Sequence, residues 1–385
     1  MTKRKVETAI SVSIDRNFPI EMYGDNAKAL EASGVVDQML MWDQLTSWVP
    51  PCMWSTEFTP LAKVLPDLDS YPDWNVMCAY GSALAPKLGT VISMDAIRRG
   101  PAEMVQTLLT LAHITHGKSI YQIGAGELKQ CKPFGWKRAE GLTRLEDFYK
   151  VFHAFWNSKK PIDFEGHHTK FDQAWLGVAR GYKPRIWGLG GGPKVYDLAT
   201  SYAEGFATMA PMVWTSAEDA GRHIKGLKEQ LAAKGRDPEK FDFGIWISAL
   251  LHEDDAIVER AFEGSLVKWS TCIMGRIIQS DWLKEGIEPP MPVDWHYALK
   301  MLPQKIDRAE AEAMLSRVTP EMSRKSWMYG TPKKVAAQVQ TYIDAGVTWV
   351  AIVDLLPTTL EPEQQAAALG RSIELCRLIK QANPS

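Results

Sequence analysis

Residues 183–212, KPRIWGLGGGPKVYDLATSYAEGFATMAPM, spell a strand, a glycine-rich turn, a helix and a second strand. Residues 185–189 form the first apolar run, Gly190-Gly191-Gly192-Pro193 the turn, 194–202 the helix and 205–209 the next strand. Three glycines ahead of a helix N-terminus leave backbone N–H groups uncovered. A phosphate can approach them closely and meet the positive end of the helix dipole. No Gly-Lys-Ser/Thr closes the turn, so it is not a Walker loop, and its glycines do not fit the spaced dinucleotide fingerprint. A tight strand-to-helix turn that needs glycine for positive φ is the plainer reading of the same residues.

The same alternation extends in both directions. Strand-like runs at 8–14, 37–42, 90–96 and 119–123 precede this unit, and runs at 241–250 and 348–354 follow it. Amphipathic helices are predicted over 26–33, 102–115, 142–156, 216–234, 254–262, 332–345 and 362–380. Pro101 opens one of them, as proline does at the first helical position, and Gly235 follows the end of another. Eight strand–helix pairs over 385 residues predict a (β/α)8 TIM barrel, here a single domain over 1–385. Three stretches, 45–75, 159–183 and 265–325, exceed ordinary loop lengths. In such a barrel, long insertions at the C-terminal face of the strands build the mouth of the active site.

Composition excludes several classes. Net charge is −2, which gives no electrostatic footprint for nucleic acid or a membrane surface. Five cysteines at 52, 78, 131, 272 and 376 never form a CxxC pair, and no His/Asp/Glu group has ligand spacing. Reduced thiols, no metal and a cytoplasmic location are therefore expected. The start MTKRKVETAI lacks an apolar h-region, so no signal peptide is expected, and no apolar run is long enough for an integral membrane segment. Fifteen Trp and sixteen Met fill mostly core, although Trp42, Trp48 and Trp54 lie where they could line a pocket.

The barrel places the candidate chemistry at the C-terminal face. Asp43 and Gln44 follow the second strand, Asp95 and Arg98 the third, Glu127 the fourth in GAGE, and the glycine turn the fifth. Plainer roles exist for each: Asp43 as a turn cap, Glu127 as a helix-start carboxylate, the arginines as local ion-pair partners. Lys129, Lys132, Lys137 and Arg138 read as a solvated basic loop, with attraction of an acidic coenzyme tail as the sharper alternative.

MWDQLTSWVP at 41–50, TVISMDAIRRGPAEMVQ at 90–106, GAGE at 124–127 and GGGP at 190–193 resemble the bacterial luciferase-like superfamily. More narrowly they resemble its branch that uses the deazaflavin coenzyme F420. LEDFYKVFHAFWNS at 145–158 and the glycine-turn unit are most similar to the phthiodiolone and phenolphthiodiolone ketoreductase group. The resemblance implies a non-proline cis peptide at Val91–Ile92 behind the coenzyme ring, and a phosphate on the N–H groups of Gly190, Gly191 and Gly192. It sets Gly126, Leu189 and Met209 near the coenzyme, Asp43 at the deazaflavin edge, and Trp48 in the active site. It also implies a homodimer.

Reducing a ketone puts negative charge on the carbonyl oxygen, so a donor must protonate it. Glu127 is the candidate acid, with a pKa raised in a closed pocket. Many relatives read Asp-His after the second strand where this chain reads Asp43-Gln44, and an amide cannot shuttle a proton. The adjacent His167 and His168 are read as surface residues. The expectation is an F420-dependent oxidoreductase acting on a bulky apolar carbonyl compound. An FMN-dependent monooxygenase, a phosphometabolite lyase or isomerase, and a coenzyme-binding barrel without turnover are the alternatives.

Overall fold

The structure is a computed structural model that describes residues 5–12 and 15–384. Eight parallel strands close into a barrel: β1 (Glu7–Ser11), β2 (Gln38–Trp42), β3 (Gly89–Asp95), β4 (Ile120–Gly124), β5 (Arg185–Leu189), β6 (Gly205–Ala210), β7 (Asp242–Leu251) and β8 (Trp349–Asp354). The ring closes through β8 on β1 and β6 on β7, with Glu7 opposite Trp349 and Gly205 opposite Asp242. The predicted TIM barrel is therefore the fold. All eight strands match the expected runs to within a few residues, apart from positions 13–14 of the first run, which lie outside the described residues.

Parallel strands are covered on both faces, which is why β3 is buried along all seven residues. Small and large side chains share the barrel interior: Ala9, Leu40, Val91, Ala207 and Ala351 pack around Trp187, Trp246 and Trp349. The outward faces pack on α1 (Ile20–Ser33), α2 (Trp74–Leu84), α3 (Pro101–Ile114), α4 (Gly141–Asn157), α5 (Pro193–Tyr202), α6 (Ala217–Ala233), α7 (Pro332–Asp344) and α8 (Ala368–Ala382). Local chemistry sets their ends. Asp73, Ser216 and Thr331 accept bonds from free N–H groups at the starts of α2, α6 and α7. Gly34 closes α1 at φ 66°.

Four features depart from the expectation. α1 starts six residues early, at Ile20, because Pro19 sets its N-terminus and its first turn exposes Ile20 and Met22, so no apolar period marks it. α2 was not expected at all. The 159–183 insertion carries an antiparallel hairpin, Ile162–Glu165 with Lys170–Ala174, and Met328–Gly330 adds a short strand beside the end of β7. The 265–325 insertion, by contrast, carries helices of its own as its length leads one to expect, and Trp269, Trp282 and Met314 pack with the neighbouring Trp327 in an apolar core above the barrel.

Candidate functional site

The insertion core stands over the C-terminal ends of the strands and encloses a cavity of about 600 Å³. Its walls are mostly apolar: Trp42, Trp48, Met209 and Trp246 come from the barrel side, Met274 and Ile277 from the insertion. Of the three tryptophans near strand two, Trp42 and Trp48 line the cavity, edge to face at 6.0 Å, while Trp54 packs in the insertion core.

One wall is the glycine turn. Gly190 has φ 149° and its N–H bonds Ala207 O at 3.3 Å. A Cβ on Gly191 would lie 2.7 Å from Val213 Cγ1, so a side chain there would force Val213 to shift, whereas a Cβ on Gly192 would meet nothing within 4 Å. The N–H groups of Gly191 and Gly192 have no acceptor among the described residues, and Lys194 beside them has no ion-pair partner among those residues. Gly192 is also the N-cap of α5, which adds the positive end of a ten-residue helix. The turn, the free donors and the unpaired ammonium together form an anion cradle.

A second wall holds charge that is already spent. Arg98 is buried, bonds Asp95, and reaches the Asp43 carboxylate at 3.1 Å as well as the Asp43 carbonyl. Arg99 takes the other Asp43 oxygen at 3.2 Å and Asp73 at 3.0 Å. Asp43 therefore lines the cavity with both carboxylate oxygens bound by guanidinium groups. Its role in shaping the ends of β2 and β3 follows directly from these contacts.

The third element is a carboxylate with its own counter-ion and donor. The turn through Gly126, at φ 82°, brings Glu127 off the end of β4 into the cavity wall. Lys129, only 2% exposed, sets its ammonium 3.0 Å from Glu127 Oε2 and donates to Thr46 O at 3.0 Å. Tyr297, carried by the insertion, donates its hydroxyl to Glu127 Oε1 at 2.5 Å. Such charge-assisted bonds are worth about 1.5–3 kcal/mol each. Burial pushes the Glu127 pKa up, but Lys129, the Tyr297 bond and Arg98 outweigh it, and the net shift is downward. Burial and the neighbouring carboxylate hold the Tyr297 hydroxyl well above its ordinary pKa. The expectation of a Glu127 pKa raised by its pocket is thus corrected: Lys129 and Tyr297 hold it below its ordinary value.

Several polar atoms remain without a partner. Gln44 Oε1, Trp42 Nε1, Thr208 Oγ1 and Arg138 Nε are buried, belong to cavity-lining residues, and find no hydrogen bond among the described residues. Leaving such a group unmatched costs about 1–3 kcal/mol. Four of them around one cavity describe a site built for a polar ligand.

Most of the sequence-derived residues meet here: Asp43, Gln44, Trp48, Gly126, Glu127, Leu189, Gly190, Gly191, Gly192 and Met209 all line the one cavity. Val91 and Ile92 do not. Val91 belongs to the barrel interior, Ile92 packs in the layer beneath the helices, and the cavity begins one residue later at Ser93. The expected cis bond between them is also corrected. Among the described residues the cis peptide is Ala210–Pro211, while Val91 and Ile92 keep regular register with Leu40 and Met41 on one side and Ile120 and Tyr121 on the other. An unbroken ladder on both sides leaves no bulge for a flipped peptide. His167 and His168 lie on the hairpin turn and not among the cavity-lining residues, and their N–H groups donate to the Asp147 carboxylate at 2.8 and 2.7 Å. The solvated reading of the basic loop holds for Lys132 and Lys137 but fails for the buried Lys129 and for Arg138, which faces the cavity. Tyr297 and His296 were missed: they come from the insertion, and nothing in local spacing links them to a strand end 170 residues earlier.

A family model described as luciferase-like monooxygenase matches residues 71–348. Over 328 residues the chain is 27% identical to a phthiodiolone/phenolphthiodiolone dimycocerosates ketoreductase of Mycobacterium tuberculosis, covering 83% of this chain and 84% of the relative. It is 24% identical over 270 residues to an F420-dependent glucose-6-phosphate dehydrogenase of Kineococcus radiotolerans, covering 68% of this chain and 70% of that one. Among solved structures, an F420-dependent secondary alcohol dehydrogenase in complex with an F420-acetone adduct has the same fold. Its TM-score is 0.72 at 17% identity, over 97% of this chain and 99% of the other.

Proposed function

Because the chain belongs to the luciferase-like monooxygenase family, we propose that it is an F420-dependent oxidoreductase that moves hydride between the deazaflavin and a bulky apolar secondary alcohol or ketone. The observation that carries this reading is one cavity with an anion cradle on one wall, a held carboxylate on another and apolar side chains between them. The similarity to a ketoreductase and to an F420-dependent dehydrogenase supports it.

The residues present fit the coenzyme. Gly191 and Gly192 N–H groups with Lys194 would hold its phosphate, and the unmatched Gln44 Oε1 and Thr208 Oγ1 offer hydrogen bonds to a polar ring edge. Bound there, a deazaflavin supplies a two-electron hydride carrier that reacts poorly with oxygen. The chain supplies the rest. Trp42, Trp48 and Met209 exclude water and orient flat or apolar groups, and Glu127 with Tyr297 provides a proton site at the cavity wall. The amide of Gln44 orients a ligand without taking a proton.

The test is turnover in air. Oxidised F420 should lose its absorbance with a panel of apolar secondary alcohols, or reduced F420 should be reoxidised by the matching ketones, without oxygen uptake. Oxygen consumption with reduced FMN and no reaction with F420 would replace this reading with an FMN-dependent monooxygenase.

A further inference from the structure

Glu127 and Tyr297 both line the cavity, and Tyr297 is hydrogen-bonded to Glu127 Oε1 there. The Tyr297 hydroxyl has one proton, and at 2.5 Å from Glu127 Oε1 that proton is committed to the carboxylate. What Tyr297 then presents to the cavity is oxygen lone pairs, which accept hydrogen bonds. A ketone has no proton to give such an acceptor. A secondary alcohol does.

We propose that Tyr297 is the catalytic group that receives the substrate hydroxyl proton, that Glu127 is the terminal acceptor behind it, and that the site is poised to oxidise a secondary alcohol. This rests on the F420 reading above. In the step, the carbinol C–H bond breaks and its electron pair leaves as hydride to an oxidised deazaflavin. The alcohol O–H proton passes to Tyr297 Oη while the tyrosine's own proton passes to Glu127 Oε1, and the C=O double bond forms. The alcohol is oxidised by two electrons, the deazaflavin is reduced by two, and one proton ends on Glu127. Tyr297 begins and ends as a phenol. A lone phenol beside a carboxylate is a poor acid and a phenolate there is costly, so a concerted relay suits the pair better than either residue acting alone.

Lys129 sets where the relay proton rests, although its own burial lowers its pKa against the pull of Glu127. Its buried ammonium, 3.0 Å from Oε2, favours the charged carboxylate and therefore a base over an acid. The other groups facing Glu127 are Arg98, Arg138, Tyr297 and His296, with Tyr71 and Cys131 more remote. Among them His296 titrates closest to neutral pH, and burial with Arg138 moves it lower, against the pull of Glu127. Oxidation should therefore be lost as pH falls through the depressed pKa of Glu127, and ketone reduction should gain over the same range.

The experiment compares wild type, Tyr297→Phe, Glu127→Gln and the double variant. It follows F420 reduction by a secondary alcohol between about pH 4 and 9, and F420 affinity by tryptophan fluorescence. Each single variant should lower kcat by about 10²–10⁴-fold, with KM and F420 affinity within about threefold of wild type and the double variant no worse than either single one. Glu127→Gln should also abolish the acid limb, which a titrating His296 would leave in place. Rates in mixtures of H2O and D2O should fit two protons in flight in wild type, one from the alcohol to Tyr297 and one from Tyr297 to Glu127. This second readout stands even if Tyr297→Phe does not fold. Near wild-type oxidation in either variant, or a single proton in flight, would overturn the relay and leave the F420 reading intact. Wild type that neither binds nor reduces F420 would overturn both.

Discussion

Substituting Gly192 by aspartate should move stability and coenzyme binding in opposite directions. Gly192 is the N-cap of α5, with φ −94° and ψ 154°, a conformation any residue adopts, and no side chain caps that helix. A Cβ there meets nothing within 4 Å. An aspartate can accept the Lys194 N–H and complement the helix dipole, gaining a few tenths to about 1 kcal/mol. The same carboxylate stands beside the free Gly191 and Gly192 N–H groups, repels the phosphate and keeps it from taking them. Losing two charge-assisted bonds at about 1.5–3 kcal/mol each weakens binding by about 3–6 kcal/mol, or roughly 10²–10⁴-fold in Kd. Differential scanning calorimetry and quenching of tryptophan fluorescence by oxidised F420 read the two effects separately. Gly191→Ala is the contrasting control. Its Cβ would lie 2.7 Å from Val213 Cγ1, so it should lose about 1–3 kcal/mol of stability as well as binding. A Gly192→Asp protein that is as stable as wild type and binds F420 within about threefold of wild type would refute the cradle argument.

Other perturbations read different parts of the site. Lys129→Met removes the counter-ion of Glu127, so the acid limb of alcohol oxidation should move to higher pH; an unmoved limb in a pH–rate profile would contradict the assigned pair. Arg98→Met leaves Asp43 and Asp95 without their shared buried partner, and urea unfolding should register a loss of about 3–5 kcal/mol. Asp354 accepts the N–H groups of Leu251 and Leu356 on one oxygen while burial pushes its pKa up to about 7. The folded state therefore holds a proton there that the unfolded chain has released above the ordinary carboxylate pKa. That stability is present at low pH and is lost as pH rises through about 7. Asp354→Asn keeps the acceptor and never ionises. It should unfold later than wild type at alkaline pH, by on the order of 2 kcal/mol, half of the full linkage because the residue retains some solvent access. The advantage should vanish in acid, and equal urea midpoints at both pH values would refute it.

The barrel was legible because its signals are local. Apolar runs such as TVISMD and the GGGP turn specify strand, turn and helix within a few residues, and the barrel then gathers Asp43, Glu127 and Gly190–Gly192 at one end without further information. The first turn of α1 was not legible, since its apolar residues face solvent. The protonation of Glu127 was not legible either. It depends on Tyr297, 170 residues away, and on Lys129, whose two-residue spacing reads as a surface loop until Thr46 O and Glu127 are seen to bury it. Asp43 was legible as a cavity residue, but not as one whose charge is taken by Arg98 and Arg99. The regular β3 at Val91–Ile92 was likewise hidden, because register is a property of three strands together.

The most direct test is a side-by-side equilibrium titration of the purified protein with oxidised F420 and with FMN. Trp42, Trp48, Trp246 and Trp327 line the cavity, so an occupied site should quench tryptophan fluorescence. Saturable quenching by F420, with FMN weaker by about tenfold or more, is the result expected from the cradle and the unmatched polar atoms around it. Equal or tighter binding of FMN, or quenching by neither, would contradict the account.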